Sequence, residues 1–333
     1  MHTPAWSRLI DTALDRSVVL GYGAPGLAIR RRLPGWPADP PPGALHGRQV
    51  AVTGANSGLG LATAAGLAAL GADVNLVVRD QGRGDAAAER IRQKQPDASL
   101  RVWRCDVGDL DDVRRFAAEF AASLAAARTP LEALIHNAGL MPAQRTESPQ
   151  GHELTMAVHV LGPILMTDLL ATQRPSDAPT AADRVIFVTS GGMYPQRLRA
   201  DDPEYLTGEY SPTSAYARSK RMQVELAGWM VRRWPETTVS LTHPGWSDTP
   251  GVQGAIPGFR RVTRPILRDL AGGADTAIWL AATDVPSGKL WHDRRERPTH
   301  LLPGTTPAPA EVATAERWVE DTLGLTPGAR ARH

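Results

Sequence analysis

A chain of 333 residues, 42% hydrophobic and 22% charged, has the make-up of a folded globular protein and is long enough to bury a substantial core. Its 37 basic residues nearly cancel 35 acidic ones, leaving a formal charge of +2 and none of the basic excess of a nucleic-acid binder. The single cysteine, Cys105, excludes an internal disulfide framework; beside Val102 and Trp103 it reads as a small core residue.

Residues 1–45 form an arm ahead of the body. In it Trp6, Leu9, Ile10, Ala13 and Leu14 recur at helical spacing. The apolar stretch Val18–Ile29 is interrupted by Gly21, Gly23, Pro25 and Gly26 and is followed, not preceded, by Arg30–Arg32, the reverse of a secretory signal. No run of about 18 apolar residues stands out as a spanning helix, so a cytoplasmic protein is expected. Arg30–Arg32 could meet anionic headgroups in a peripheral membrane contact, but Asp11 and Asp15 oppose it, and packing on the body or an oligomer contact is the favoured reading. Residues 33–44, with five prolines, read as an extended connector.

From Arg48, apolar runs at 49–53, 74–79, 100–105, 131–136, 184–189 and 238–242 alternate with helical segments at 58–70, 83–95, 109–127, 150–171, 213–233 and 272–282. This alternation predicts an α/β fold: one Rossmann-type, doubly wound parallel sheet over 46–292 with helices on both faces. A C-terminal extension, 293–333, carries a further helix at 308–323.

The first strand leads into Thr53-Gly54-Ala55-Asn56-Ser57-Gly58-Leu59-Gly60 and then a helix. Glycines in this position let backbone N–H groups approach a pyrophosphate while the helix N-terminus supplies partial positive charge. At the end of the second strand Arg79 can pair with a 2′-phosphate, which favours NADP(H) over NAD(H), although Asp80, one residue on, would reverse the preference if the register slipped.

Of the 37 basic residues only Lys94, Lys220 and Lys289 are lysines, and Lys220 stands four residues after Tyr216. On a helix these share a face. A phenol titrates near pH 10, and a positive charge about 4 Å away at an effective dielectric of about 20 would lower that by roughly three units, toward the range of a useful acid or base. Ser190 closes the strand at 184–189 and stands at the carboxyl edge of the sheet, where ligands bind in such folds. No metal-binding cluster is expected.

Together these motifs resemble the short-chain dehydrogenase/reductase family over roughly 46–285. The TGxxxGxG turn is complete at Thr53–Gly60; Asp106-Val107 matches the family's adenine contact, Asn137-Ala138-Gly139 its NAG motif, and Pro244–Thr249 (with Pro244, Gly245, Trp246 and Thr249) its PGxxxT segment beside the nicotinamide. The resemblance implies Ser190, Tyr216 and Lys220 as the catalytic set, with Tyr216 and Lys220 also touching the cofactor, and a small carbonyl or alcohol as substrate. Stretches at 190–193, 243–252, 286–294 and 299–301 are similar to one vertebrate branch of the family, and the spacing from Ser190 to Tyr216 to its retinol-dehydrogenase-like members, which implies an apolar substrate. The expected substrate segment is 249–270, with Val252, Ile256, Phe259, Val262 and Ile266 lining a pocket, or its arginines (Arg260, Arg261, Arg264, Arg268) making it a solvated helix. One departure is His159, where the family has an asparagine whose carbonyl holds a water; His159 is either a proton relay, with its ordinary pKa near 6.5, or a packed helix residue, and a cofactor-binding sensor with lapsed catalysis is the alternative it raises. His136 reads as structural. Homo-oligomerisation stays open.

Overall fold

The computed structural model describes residues 4–17, 19–172, 182–248 and 263–326. Its eight strands are β1 (Gln49–Thr53), β2 (Asp73–Val78), β3 (Leu100–Arg104), β4 (Leu131–His136), β5 (Arg184–Val188), β6 (Thr238–Thr242), β7 (Lys289–His292) and β8 (Arg295–Arg297), in the order β3-β2-β1-β4-β5-β6-β7-β8. All neighbours are parallel except β7 and β8. Short runs such as Val50-Ala51-Val52 and Leu76-Val77-Val78 form the central strands because both faces are covered and both need apolar side chains. Val50, Val52, Leu76 and Ile135 enter one core, and Ala51, Val77 and Leu134 the other.

The helices are α1 (Ala5–Arg16), α2 (Val19–Tyr22), α3 (Ala24–Arg30), α4 (Gly58–Ala69), α5 (Gln81–Arg92), α6 (Leu110–Ala127), α7 (Leu154–Met156, continued by a π-turn Ala157–Leu161 and by Gly162–Thr172), α8 (Pro212–Glu225), α9 (Ala227–Arg233), α10 (Leu270–Ala281) and α11 (Pro309–Leu323). Helices α4 and α10 cover one face so closely that a Cβ on Gly66 would lie 2.3 Å from Ile278. Contrary to the sequence expectation, Leu154–Ala171 is long and apolar enough to cross a membrane by length and composition, yet most of it is buried, packed on α6 as a core helix.

The sheet also runs past the expected boundary at 292. Strands β7 and β8 pair across a two-residue turn, Asp293-Arg294, in which both residues have positive φ (52° and 55°). Such a turn matches the twist of a hairpin and normally recruits Asn-Gly or Asp-Gly, and β8 is too short and polar to register as a strand by pattern. Helix α11 sets Ala315, Val319 and Leu323, four residues apart, into the same core.

The arm packs on the body, but not through its apolar stripe. Helix α1 turns Ser7, Asp11, Leu14 and Asp15 inward and leaves Trp6, Leu9, Ile10 and Ala13 exposed. Leu14, Tyr22 and Leu27 are buried, but the seat of α1 is chiefly ionic. Arg30 is fully buried, its Nε 2.8 Å from Asp11 and its Nη1 2.6 Å from Asp293. Arg268 grips Asp293 with both terminal nitrogens (2.5 and 2.9 Å), and Arg297 grips Asp11 likewise (2.9 and 2.9 Å). The packing of the arm on the body is the reading favoured from the sequence, and of the two readings of Arg268 the solvated one does not hold: Arg30 and Arg268 are both core residues.

Burial alone would raise the Asp293 carboxyl, but His292 and the Arg268 and Arg30 guanidinium groups outweigh it and hold the carboxyl well below the usual carboxylate range. Its stabilisation is complete above the unfolded carboxyl's pKa of about 3.9 and is lost as the pH falls toward the folded value. Asp293→Asn, which strips two buried arginines of their shared carboxylate, is expected to cost about 3–5 kcal/mol in urea unfolding at neutral pH and to remove part of the acid sensitivity below about pH 4.

Candidate active site

Helix α8 opens with Ser211 capping the Ser214 N–H (3.4 Å) and Pro212 in its first turn. Tyr216 and Lys220 follow one turn apart, facing the carboxyl end of β5. Lys220 is buried and its Nζ donates to the carbonyl of Val188 (2.8 Å), while its own carbonyl accepts from Thr189 Oγ1 (3.0 Å). Ser190, the residue after Thr189, stands near enough to the Tyr216 phenol to lower its pKa, and its Oγ accepts from the Gly192 N–H at 3.2 Å. The three side chains are thus brought together.

The electrostatics differ from the sequence expectation. Lys220 Nζ lies 5.7 Å from the Tyr216 ring centroid, and burial pulls its pKa down to about 7. Burial also raises the Tyr216 phenol, partly offset by the nearby Ser190. Leaving water penalises ammonium and phenolate alike, and here that penalty outweighs their mutual attraction. Tyr216 therefore holds its proton firmly in the free protein.

His159 is a packed residue, not a relay. It sits in the π-turn, where its Nε2 accepts from the Leu140 N–H (3.1 Å), which leaves Nδ1 to donate to Ser219 Oγ (2.7 Å), and that hydroxyl donates to the Tyr216 carbonyl (2.8 Å). Burial lowers the imidazole well below its ordinary pKa, so it stays neutral in one tautomer. Its ring meets the Tyr216 ring edge-on at 5.2 Å, and its carbonyl accepts from Gln223 Nε2 (2.6 Å). His136, also buried, reaches Thr167 Oγ1 at 2.8 Å and is lowered to about 3 by burial and by Lys220.

The glycine turn sits at the carboxyl end of β1. Gly54 and Gly58 have positive φ (66° and 55°), and a Cβ on Gly60 would stand 2.3 Å from the Gly54 carbonyl oxygen. Ser57 takes the N-cap position of α4 without a capping side-chain hydrogen bond, whereas Asp80, Asp109 and Asp269 cap their helices. Asn56, Ser57 and Leu59 are half-buried around that first turn. Thr53, the first residue of the motif, with no role of its own assigned from sequence, braces the turn: its Oγ1 accepts from the N–H groups of Asn137 and Ala138 (both 3.0 Å) and its carbonyl from Asn137 Nδ2 (3.1 Å). The Asn137 side chain is therefore a strut of the turn. Gly139 is small because His159 Nε2 would lie 3.1 Å from a Cβ there.

Around this groove, Arg79 is exposed just past β2, while the Asp80 carboxylate accepts from the Arg83 N–H (2.9 Å) as the cap of α5. Asp106 accepts from the Gly108 N–H (3.0 Å), and Val107 is buried under Gly162. Pro244, Gly245 and Trp246 are clamped from behind: the Tyr22 carbonyl accepts from the Trp246 N–H (2.8 Å) and the Trp246 carbonyl from the Arg268 N–H (2.7 Å). The Tyr22 ring lies where a Cβ on Gly191 would be 2.9 Å away, so the arm also backs the loop after Ser190. No local sequence signal marks Tyr22 for this post. Thr249 and Val252, Ile256, Phe259, Val262, Arg260 and Arg261 lie outside the described residues; Ile266 is half-buried and Arg264 exposed.

These residues fit a nicotinamide dinucleotide. The glycines of the turn leave its backbone open to close approach, α4 keeps its first-turn N–H groups clear of a capping side chain, and the buried Lys220 ammonium makes one protein hydrogen bond among the described residues of the three it can donate. Among the described residues no group of three or more His, Cys, Asp or Glu could hold a metal.

Residues 48–198 match the family model described as short chain dehydrogenase, and the chain belongs to the short-chain dehydrogenase/reductase family, as an NAD(P)-dependent oxidoreductase acting on small carbonyl or alcohol compounds. It is 39% identical over 273 residues to dehydrogenase/reductase SDR family member 12 of Bos taurus, covering 80% of this chain and 83% of that protein. It is 34% identical over 285 residues to retinol dehydrogenase 14 of Mus musculus, covering 79% and 82%. A short chain dehydrogenase from Shigella flexneri shares the fold, with a TM-score of 0.59, 20% identity and coverage of 81% and 96%.

Because Lys220 titrates near 7 in the free protein, binding that needs its ammonium should weaken as the pH rises above that value. The Kd for the dinucleotide is expected to rise by up to about tenfold per pH unit between pH 7 and the bound-state pKa, and Lys220→Met should flatten the profile; titration by cofactor fluorescence measures both.

Proposed function

We propose that the protein is an NADPH-dependent carbonyl reductase, working reversibly on an apolar substrate from the cytoplasmic side of the cell, with Ser190, Tyr216 and Lys220 as its catalytic residues. The observation that carries this is the assembled triad: a protonated, half-buried phenol beside a serine at the sheet edge, with a buried lysine one helical turn below. A bound dihydronicotinamide supplies the hydride. Tyr216, protonated in the free protein, gives its proton to the carbonyl oxygen as charge develops there, and its raised pKa is the part of the barrier that its surroundings must offset. Ser190 offers a second hydrogen bond to that oxygen, preorganised on the turn that Gly191 and Gly192 shape. Lys220 binds the nicotinamide ribose, and a ligand that holds it as ammonium makes the phenolate left after proton transfer less costly.

NADPH is favoured because Arg79 is exposed beside the glycine turn while the neighbouring acid, Asp80, is engaged as a helix cap. The retinol in the name of the mouse relative supports an apolar substrate. The lapsed-catalysis alternative loses its ground in His159, whose ring is accounted for by Leu140, Ser219 and Tyr216.

Tyr216→Phe is expected to bind NADPH with unchanged affinity and to lose turnover by at least about a hundredfold across a panel of apolar aldehydes, ketones and quinones. Wild-type turnover in that variant would refute the assignment. Arg79→Ala should raise the KM for NADPH about tenfold or more, the loss of a charge-assisted hydrogen bond, and leave that for NADH nearly unchanged.

A further inference from the structure

The arm presents to solvent the side chains a globular protein normally hides. Helix α1 is amphipathic, but its acidic face is the buried one: Asp11 and Asp15 point inward to Arg30 and Arg297. Outward stand Trp6, 53% exposed, Leu9, 71%, and Ile10, 39%. Leu20 and Ile29, on the two helices packed next along the arm, are 55% and 43% exposed. Soluble surfaces carry single apolar residues as a matter of course, whereas several on one short arm mark a binding surface.

Charge selects the occupant. Between residues 4 and 32 the only acids are Asp11 and Asp15, both buried and paired, so every exposed charge there is positive: Arg8, Arg16, Arg31 and Arg32. Arg31 also reaches Asp275 at 3.0 Å. A second copy docking face to face about a two-fold axis would bring these arginines against their own images. An anionic bilayer instead meets them with negative headgroups and accepts Trp6, Leu9 and Ile10 below, the arrangement of an interfacial helix. We infer that the arm is a peripheral docking surface for anionic phospholipid membranes, laid on the bilayer through the outer face of α1. The arm that touches lipid is also the arm whose Tyr22 backs Gly191 and Trp246. This does not depend on the substrate proposed above.

Flotation of the full-length protein with vesicles tests it. Binding to phosphatidylcholine vesicles enriched in phosphatidylglycerol should exceed binding to phosphatidylcholine alone by about tenfold or more at low salt, and should collapse in high salt. Leu9→Glu and Arg16→Glu are expected to reduce binding about tenfold each while keeping the wild-type melting temperature, since both side chains are exposed. If a variant fails to fold, the lipid and salt dependence of the wild type decides alone. Absence of vesicle binding, equal binding to neutral and anionic vesicles, or binding untouched by both variants would overturn the inference. A concentration-dependent dimer that Leu9→Glu dissociates, with vesicles left bare, would overturn it in favour of a second copy.

Discussion

One carboxylate organises the side of the molecule behind the substrate groove. Asp293, in a left-handed turn position, accepts from Arg268 and Arg30 at once, and each of those arginines holds something else. Arg30 carries α1 by Asp11 and reaches the Gly21 carbonyl; Arg268 carries the Tyr22 carbonyl and the backbone of Trp246. Remove the negative charge and Arg268 is left buried without its carboxylate while Arg30 keeps only the arm's own acids, Asp11 and Asp15, a larger loss than the pair's own attraction. The positions of the arm, the Pro244–Trp246 segment and the loop after Ser190 follow from that one group.

The central fold was legible because its rules are local. Alternating apolar runs and helical segments gave β1 to β6 within a residue or two, the five inside the sheet because strands covered on both faces admit little else. The glycine turn and the Tyr216–Lys220 spacing were legible for the same reason: each is a requirement expressed within eight residues. Strands β7 and β8 were not, because a four-residue strand and a three-residue polar one carry no period, and their turn uses Asp-Arg where pattern expects glycine.

The arm shows where periodicity misleads. Its apolar residues do recur at helical spacing, but the partner of α1 is charged, so the helix is seated by Asp11 and Asp15 and the stripe faces out. Recognising that requires knowing that Arg30 and Arg297, distant in sequence, meet at one point. The pKa pattern at the site is a similar case. Spacing puts an ammonium beside a phenol, but how far both are withdrawn from water is a property of the packed fold, and it reverses the direction of the Tyr216 shift.

The ion network joins the two ends of the chain, Arg30 to Asp293 across 263 residues and Asp11 to Arg297 across 286. The arm precedes the body in the chain, and its partners in the hairpin lie on the far side of the whole sheet in sequence. Until the β7–β8 hairpin has formed, the arm's charges lack Asp293 and Arg297 and the arm has no complete seat, because contacts this distant require the intervening chain to close. Seating of the arm, and with it the backing of Gly191 and Trp246, therefore depends on that hairpin.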